Sequence, residues 1–258
     1  MLRRALWAFP LIVAVLVFWY ITVELGWVKV VSSPAQVAKQ MWDFAFGGIY
    51  DDAWSRSLHI HTWDSARRVA AGFGIAASIA IPLGILMGRS RTLTAMIDPL
   101  LSLLRPIPVT AWVPLVLIIV GLGTKPAVIL IFIAAFYPIL LNTIAGVKAV
   151  PPRLVEAAAM LGTRRWDMLY KVVLPSALPS IFAGMRIALG FSWVVVVVGE
   201  TVGVPTGLGA VITEAREVSN TALIMTGMVF IGLAGFASDR LMTALIRSSL
   251  RNRPLIQT

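Results

Sequence analysis

The residues best suited to recognition chemistry lie in one polar, basic stretch, residues 151–179, of an otherwise apolar chain. Within it, Trp166, Leu169, Tyr170 and Val173 follow the spacing i, i+3, i+4 and i+7, and charged residues occupy the other faces. A short amphipathic helix with an aromatic ridge is suited to dock into the groove of a partner protein. The stretch therefore predicts protein–protein recognition rather than catalysis.

Two helices and a sharp corner are expected to position these side chains. Pro151 and Pro152 suit a helix start, because proline loses no needed N–H at the first helical position. Gly162 ends that helix, since glycine adopts the left-handed conformation without a Cβ clash. Thr163 is expected to cap a second helix, which runs from Arg164 to about residue 173.

This stretch carries a resemblance to a known family. Glu156, Ala157 and Ala158, then Gly162, then the sequence V-x-L-P at 172–175 resemble the EAA loop of ABC importer permeases, E-A-A-x3-G-x9-I-x-L-P, with valine in place of the usual isoleucine. The resemblance extends over residues 65–249. Its segments 98–115, 136–148 and 184–193 are similar to permeases for nitrate, taurine and alkanesulfonates.

The resemblance implies an all-α, multi-pass protein of the cell (inner) membrane with six transmembrane helices and the type I importer (MetI-like) fold. Both termini would be cytoplasmic, in agreement with the basic residues that flank the first and last apolar runs, Arg3, Arg4, Arg247, Arg251 and Arg253. The chain would form the translocation pathway for a small oxyanion such as nitrate, taurine or an alkanesulfonate.

The resemblance also implies partners. Two permease copies, expected as a homodimer, would enclose the path, two ABC ATPase subunits would lie beneath them, and an extracytoplasmic solute-binding protein would deliver the solute. ATP and Mg²⁺ would be bound by the ATPase, and no cofactor, metal ion or catalytic residue is expected in this chain. The helix after the corner would be the coupling helix. The residues expected to couple to the ATPase are Glu156, Ala157, Ala158, Gly162, Thr163, Arg164, Arg165, Trp166, Asp167, Leu169 and Tyr170.

Composition independently predicts a membrane protein. The chain is 59% hydrophobic and 13% charged, with a mean hydropathy of +0.87, and this apolar content far exceeds that of soluble domains. At about 20 residues per span, roughly six spans fit. The net charge of +10 lies largely in short loops beside apolar runs, which indicates membrane topology rather than nucleic-acid binding. Without cysteine there is no disulfide or thiolate metal site.

We expect a single transmembrane permease domain over residues 1–258. The spans are predicted at about 6–25, 68–88, 103–120, 127–147, 179–198 and 223–246. An outer loop, 26–66, would carry a short interfacial helix with Val37, Met41 and Phe44 on its apolar face. His59 and His61 of this loop are expected to be solvated or interfacial. The cytoplasmic EAA loop with its coupling helix would cover 148–178.

Candidate pathway residues are the polar and aromatic side chains of spans three to five. The third span is expected to be irregular, because it contains three prolines, and such breaks survive in a bilayer only inside protein or along a cavity. For each candidate the alternative role is ordinary packing between helices. For Arg186 the alternative is that its side chain extends to the cytosolic interface. The candidates are Trp112, Tyr137, Asn142, Arg186, Ser192 and Trp193.

The chain lacks an ATP-binding motif, so a partner ATPase or an ion gradient must supply energy for uphill transport. We expect no acidic residue in the middle of a span, because Glu24, Asp98 and Glu200 all lie near predicted helix ends. Ion-coupled carriers usually hold carboxylates inside the membrane. This weighs against the alternative, an ion-coupled secondary transporter, and Glu200 is expected to have a hydrogen-bonded structural role.

Overall fold

A computed structural model of the chain describes residues 2–27 and 30–250, with the side chains of all but residues 2–9, 12, 249 and 250. Arg251 and Arg253, and the side chains of Arg3 and Arg4, lie outside the described residues. The described part of the chain folds into helices joined by turns. They are α1 (Leu2–Glu24), α2 (Pro34–Phe46), α3 (Leu58–Arg89), α4 (Arg91–Leu104), α5 (Val113–Val120), α6 (Thr124–Lys148), α7 (Pro152–Met160), α8 (Arg165–Met168), α9 (Leu174–Glu200), α10 (Leu208–Glu217) and α11 (Thr221–Leu250).

Within the described residues, four helical segments are long and apolar enough to cross a membrane: Leu58–Arg89, Thr124–Lys148, Arg165–Glu200 and Thr221–Ser248. A fifth span forms if the bent pair Arg91–Leu104 and Val109–Val120 counts as one crossing. The all-α architecture that the resemblance implies is confirmed for the described residues, in which four or five candidate spans are found where six were predicted.

The helices belong to two compact units. The first comprises the residues up to Ser65 together with Pro205–Gly232, and the second comprises Ala66–Val204 together with the residues from Leu233 onward.

In the first unit, α2 is the short helix predicted within residues 26–66. Ser33 caps it through a capping box with Gln36. Phe44 is fully buried, and its ring lies 5.9 Å from the ring of His61 and 5.8 Å from that of Phe230. Val37 is buried too, so the predicted apolar face of α2 packs into this unit.

Asp43, also on α2, organises the loop that follows. Its Oδ1 accepts hydrogen bonds from the backbone N–H groups of Ile49 and Tyr50 at 2.8 and 3.1 Å, and Oδ2 accepts one from the Ser55 hydroxyl at 2.5 Å. Burial by itself raises the pKa of the Asp43 carboxyl, but these three donors outweigh burial and hold the pKa below its usual value.

Two expectations about the first unit are wrong: the start of the second span and the surroundings of His61. Helix α3 begins at Leu58, ten residues before the predicted start of the second span. Hydropathy does not predict helix over these ten residues, because they are polar. Hydrogen bonds to residues distant in sequence hold them: His61 Nδ1 accepts one from Gly207 N–H at 3.0 Å, and Ser65 Oγ accepts one from Leu208 N–H at 2.9 Å. His61 is therefore buried rather than solvated, whereas His59 is exposed as expected.

The second unit is built around α6, which packs between α3 and α9. On α3, Gly72, Gly84 and Gly88 lie against Ile131, Thr143 and Val147 of α6, so these two helices run parallel. On α9, the contacts of Gly184 with Asn142 and of Gly199 with Ala127 make α9 antiparallel to α6. Small residues allow such close approach of membrane helices.

The third predicted span, 103–120, is not one helix. The segments Arg91–Leu104 and Val109–Val120 are bent by 86° relative to each other, and residues 105–108 between them are not helical. Pro106 and Pro108 lack the N–H groups that would continue the helix. A helical turn over Val109–Trp112 then leads into α5. The irregular third span predicted from its prolines is therefore confirmed. A difference from the prediction is α10, which lies between the predicted fifth and sixth spans.

Candidate functional site

The EAA-like stretch forms a helix, a tight corner and a second helix. Gly162 has φ +72°, and its N–H donates to Ala159 O at 3.0 Å while Thr163 N–H donates to Ala158 O at 3.2 Å. These two bonds are those of a Schellman motif, which ends a helix with glycine in the left-handed conformation. The prediction that Gly162 ends the first helix is therefore confirmed.

The cap of the second helix differs from the prediction. The N-cap residue is Arg164, in an extended conformation and without a side-chain capping bond, whereas Thr163 was expected. The Schellman motif extends through Thr163, whose N–H bonds to the first helix, and the second helix begins one residue further on.

An aromatic ridge projects beyond this corner. Trp166 and Tyr170 are 73% and 61% exposed, and their rings stack at 6.5 Å. The side chains of Met160 and Leu161, on the other side of the corner, are 90% and 86% exposed. Apolar groups this exposed, on a segment with basic residues, mark an interaction surface.

The remaining predicted coupling residues surround this ridge. Arg164 and Arg165 are exposed, as are Glu156 and Ala157, and Ala158, Thr163 and Leu169 are half-buried. Asp167 is half-buried and pairs with Lys171 at 2.9 Å. The predicted apolar stripe is divided, because Val173 is buried against Val147 and Val150 rather than exposed with the two aromatic rings.

Helix α8 continues into α9 without a break, through a π turn over Leu169–Val173. Leu174 N–H donates to Leu169 O, and this wider i→i−5 spacing takes the chain past Pro175, which has no N–H. The sequence predicted a separate coupling helix and a span from Pro179. The structure has one continuous helical segment, Arg165–Glu200, so the aromatic ridge and the span are parts of one rod.

The six pathway candidates occupy different surroundings. Asn142 donates to Pro138 O within α6, Ser192 donates to Ala188 O within α9, and Trp193 Nε1 donates to Ser238 Oγ of α11 at 3.0 Å. Trp112 is half-buried at the end of the helical turn before α5.

Tyr137 lines a cavity of about 270 Å³ in the second unit. Residues 105–109, at the bend between α4 and α5, form one wall, and Phe191 and Val195 of α9 form another. Arg105 also lines it. The structure thus brings one pathway candidate to a cavity that is bordered by the break in the third span.

Arg186 has a carboxylate partner within the second unit. Its Nε and Nη2 donate to Asp239 Oδ1 and Oδ2 at 2.7 and 2.9 Å, which is a bidentate pair. Asp239 lies inside the segment Thr221–Ser248. The expectation that no acidic residue lies within a span is therefore wrong: both charges are on membrane-spanning helices, where ionisable groups are rarely exposed to lipid.

Glu200 pairs with Arg68, and both side chains are buried. Arg68 Nη1 donates to Glu200 Oε1 at 2.6 Å, and the two side chains are 5% and 0% exposed. Removing one partner of a buried ion pair usually destabilises the protein strongly. The structural, hydrogen-bonded role expected for Glu200 is confirmed, and its partner was missed because 132 residues separate the two in sequence.

Residues 80–250 match the family described as "Binding-protein-dependent transport system inner membrane component". The chain belongs to this family. It is therefore a permease component of an ABC transporter in the inner membrane, and the family implies ATPase and solute-binding partners.

Relatives of the permease agree with this assignment. A putative ABC transporter permease protein of Methanocaldococcus jannaschii is 48% identical over 185 residues, which cover 71% of this chain and 69% of the relative. The bicarbonate transport system permease protein CmpB of Synechococcus elongatus is 42% identical over 76% of this chain and 71% of the relative. The taurine transport system permease protein TauC of Escherichia coli is 32% identical over 95% of this chain and 92% of the relative.

A solved structure shows the same fold. A chain of the MetNI methionine ABC transporter, in an inward-facing conformation, superposes with a TM-score of 0.58 at 21% identity, over 71% of the permease and 94% of that chain. The predicted MetI-like fold is thereby confirmed.

Sequence reasoning missed two residues near the pathway candidates. Asp239 was a visible signal, since it is a lone carboxylate within a predicted apolar run. Arg105 was visible in the same way, beside the two prolines of the third span. Their neighbours in space could not be read from the chain.

Proposed function

We propose that two copies of this permease, as a homodimer, form the translocation pathway of a type I ABC importer for a small oxyanion. Two ATPase subunits bind ATP and Mg²⁺ on the cytoplasmic side, and an extracytoplasmic binding protein delivers the solute. The permease itself hydrolyses nothing. The observation that carries this proposal is the exposed aromatic ridge, Trp166 and Tyr170, at the start of the rod Arg165–Glu200.

The rod supports a mechanical role. At about 1.5 Å per residue its 36 residues extend roughly 54 Å, longer than the hydrocarbon core of about 30 Å. A displacement of the ridge by ATPase closure is transmitted along α9. Close contacts at Gly184 and Gly199 then pass it to α6. All predicted coupling residues from Glu156 to Tyr170 belong to this corner or lie beside it.

The proposed topology has six spans and cytoplasmic termini. Helix α1, whose stretch Val13–Glu24 is apolar, is the first span, and the bent pair α4 and α5 is the third. The alternating directions of the helices in the second unit support this order, since α3 and α6 run parallel and α9 runs opposite to them. The EAA loop, 148–178, then lies in the cytoplasm, and α2, in the loop 26–66, lies outside at the interface.

The proposed solute is a small oxyanion such as nitrate, taurine or an alkanesulfonate. The relatives named for bicarbonate and taurine transport support this class, because both solutes present negatively charged oxygens. Hydrogen-bond donors and cationic side chains are the protein groups that would recognise such an anion.

The proposal is tested by co-purification and uptake. The tagged permease is expressed with candidate ATPase and solute-binding subunits from the same organism, solubilised gently and reconstituted into vesicles. We expect the ATPase to co-purify and uptake to require ATP. Uptake that follows an imposed proton or sodium gradient without ATP would instead establish the ion-coupled alternative.

Variants of the corner test the coupling role. Trp166→Asp is expected to release the ATPase, because it places a charge in an apolar contact. Trp63→Asp is the matched control, since Trp63 is 65% exposed but lies in the first unit. If both variants retain the ATPase equally, the aromatic ridge is not the docking surface.

Gly162 offers a second pair of variants. A Cβ there would meet no atom within 4 Å, so substitution acts only through φ +72°. Gly162→Val should uncouple ATP hydrolysis from uptake, whereas Gly162→Asn should retain much of the coupling, because asparagine adopts the left-handed conformation more readily. Equal uptake by the two variants would contradict a role for the tight corner.

A further inference from the structure

We propose that the cavity beside the bend at residues 105–108 binds the transported solute, and that Arg105 and Tyr137 hold its oxyanion group. The inference rests on the proposed function and adds a binding site for its solute. The ligand is a small oxyanion with a short apolar end, such as a short-chain alkanesulfonate. Its basis is the cavity of about 270 Å³ between these two residues and α9.

The backbone at the bend requires water or protein around it. Residues 105–108 are all exposed on the permease and are not helical. At helical rises of about 1.5 and 2.0 Å, Val109–Val120 extends roughly 20 Å from the outer turn at Gly121. The bend therefore lies inside a hydrocarbon core about 30 Å thick. Irregular backbone at that depth is tolerated only within protein or along a water-filled cavity.

Charge selects an anion for this cavity. Arg105 is the one charged residue among those that line it, and no carboxylate is among them. An arginine at membrane depth faces a cavity or the protein interior rather than lipid. Its planar guanidinium matches two oxygens of a sulfonate, nitrate or carboxylate group. The Tyr137 hydroxyl supplies a further donor.

The remaining walls select for size and for an apolar end. They consist of prolines and aliphatic or aromatic side chains, among them Ile107, Ile133 and Phe191. Small-molecule pockets usually hold about 300–1,000 Å³, so this cavity of about 270 Å³ lies just below that range and suits only a small ligand. A charged oxygen fork at one side and apolar walls at the other fit a short alkyl chain that ends in an oxyanion.

The absence of cysteine from the chain makes a direct test available. Ile107→Cys, at a cavity residue that is 39% exposed, and Ile118→Cys, at an α5 residue that is 83% exposed, are each the only thiol of the permease. The full transporter in vesicles is treated with two water-soluble methanethiosulfonates, one carrying an ethylsulfonate and the other an ethyltrimethylammonium group. The thiolate forms a mixed disulfide and methanesulfinate leaves.

We expect Ile107→Cys to react with both reagents and to prefer the anionic one. Adding Arg105→Gln should lower the anionic-to-cationic rate ratio by about three- to tenfold, the effect of one nearby charge at a hydrated site. Arg105→Lys should retain most of the preference. Arg91→Gln, at the other end of α4, is the control for a general loss of positive charge and should leave the ratio unchanged. Ile118→Cys should react with neither reagent.

Protection identifies the ligand class. Ethanesulfonate should slow labelling of Ile107→Cys, and the size-matched cation ethyltrimethylammonium should not. Protection by both, or by neither, overturns the anion site. An unreactive Ile107→Cys, or an Ile118→Cys that reacts as fast, overturns the aqueous cavity.

A phospholipid phosphate could occupy Arg105 through the same chemistry. Labelling is therefore repeated in phosphatidylcholine vesicles with and without phosphatidylglycerol. A preference for the anionic reagent that disappears when phosphatidylglycerol is present assigns Arg105 to a lipid and overturns the proposal, whereas an unchanged preference supports a solute. Co-purification of the ATPase is measured separately. If the ATPase co-purifies but Ile107→Cys does not react, the proposed solute site is wrong and the proposed importer function still stands.

Discussion

Replacement of Gly184 by alanine should push apart α6 and α9, two closely packed helices of the second unit. A Cβ at this position of α9 would lie 2.6 Å from Asn142 Cβ and 2.8 Å from Pro138 O of α6. Ordinary van der Waals contact begins at 3.4 Å, so the helices must move apart by about 0.8 Å at this point. The carbonyl cannot rotate away, because it belongs to the α6 backbone and also accepts a hydrogen bond from Asn142 Nδ2.

The cost follows from this geometry. Extra atoms forced into a packed interior usually destabilise a protein by about 1–3 kcal/mol. For a chain of this size each kcal/mol shifts the melting temperature by about 2–4 °C, so Gly184→Ala should melt roughly 2–12 °C lower than the native permease.

Gly190→Ala is the matched control. Gly190 lies on the same helix, six residues on, and a Cβ there meets no atom within 4 Å. The same chemical change should therefore leave the melting temperature unchanged or raise it slightly, because alanine favours helix more than glycine does.

Both variants are purified in the same detergent, heated in steps and scored by size-exclusion chromatography for the fraction that remains monodisperse. Equal melting temperatures for Gly184→Ala and Gly190→Ala would refute the close approach of α6 and α9. A lower temperature for Gly190→Ala alone would mean that its open face is covered by a partner and that Gly184 is not the contact.

Two further predictions concern buried carboxylates. Asp43→Asn should destabilise the first unit at pH 7 by about 1–3 kcal/mol, the usual cost of leaving buried donors unsatisfied. The pKa of Asp43 is lowered in the folded protein. The carboxylate of the native protein therefore contributes its full stabilisation above about pH 4, and this contribution is lost as the pH falls through the lowered pKa. Melting curves of both proteins should therefore converge in acid, and a constant difference would contradict the role of the charge. Glu200→Gln should destabilise the second unit by up to about 3–5 kcal/mol, since it removes the carboxylate charge that pairs with Arg68 in the interior. The double variant Arg68→Met, Glu200→Leu should recover part of that loss. If the double variant is no more stable than Glu200→Gln, this ion pair is not the source of the loss.

Local chemistry was enough to predict the EAA corner from sequence. Gly162 ends α7 because the left-handed conformation favours glycine, and this preference acts whatever surrounds the helix. Hydropathy likewise determined the membrane class and the approximate positions of the spans, because transfer of about 20 apolar residues into lipid depends on composition alone.

The beginnings and ends of the helices were less predictable. The start of α3 at Leu58 depends on His61 and Ser65 meeting backbone N–H groups more than 140 positions away. The union of α8 with α9 depends on a π turn, whereas proline at 175 taken alone predicts an interruption.

Sequence by itself determined that the permease is a helical membrane protein with a tight helix–turn–helix corner at Gly162, since both follow from properties of neighbouring residues. Only the tertiary structure decided which charges meet: Arg68 with Glu200 and Arg186 with Asp239. Such pairing depends on how far each helix is rotated about its axis and at what depth it crosses its neighbour, and close contacts at residues such as Gly184 set both.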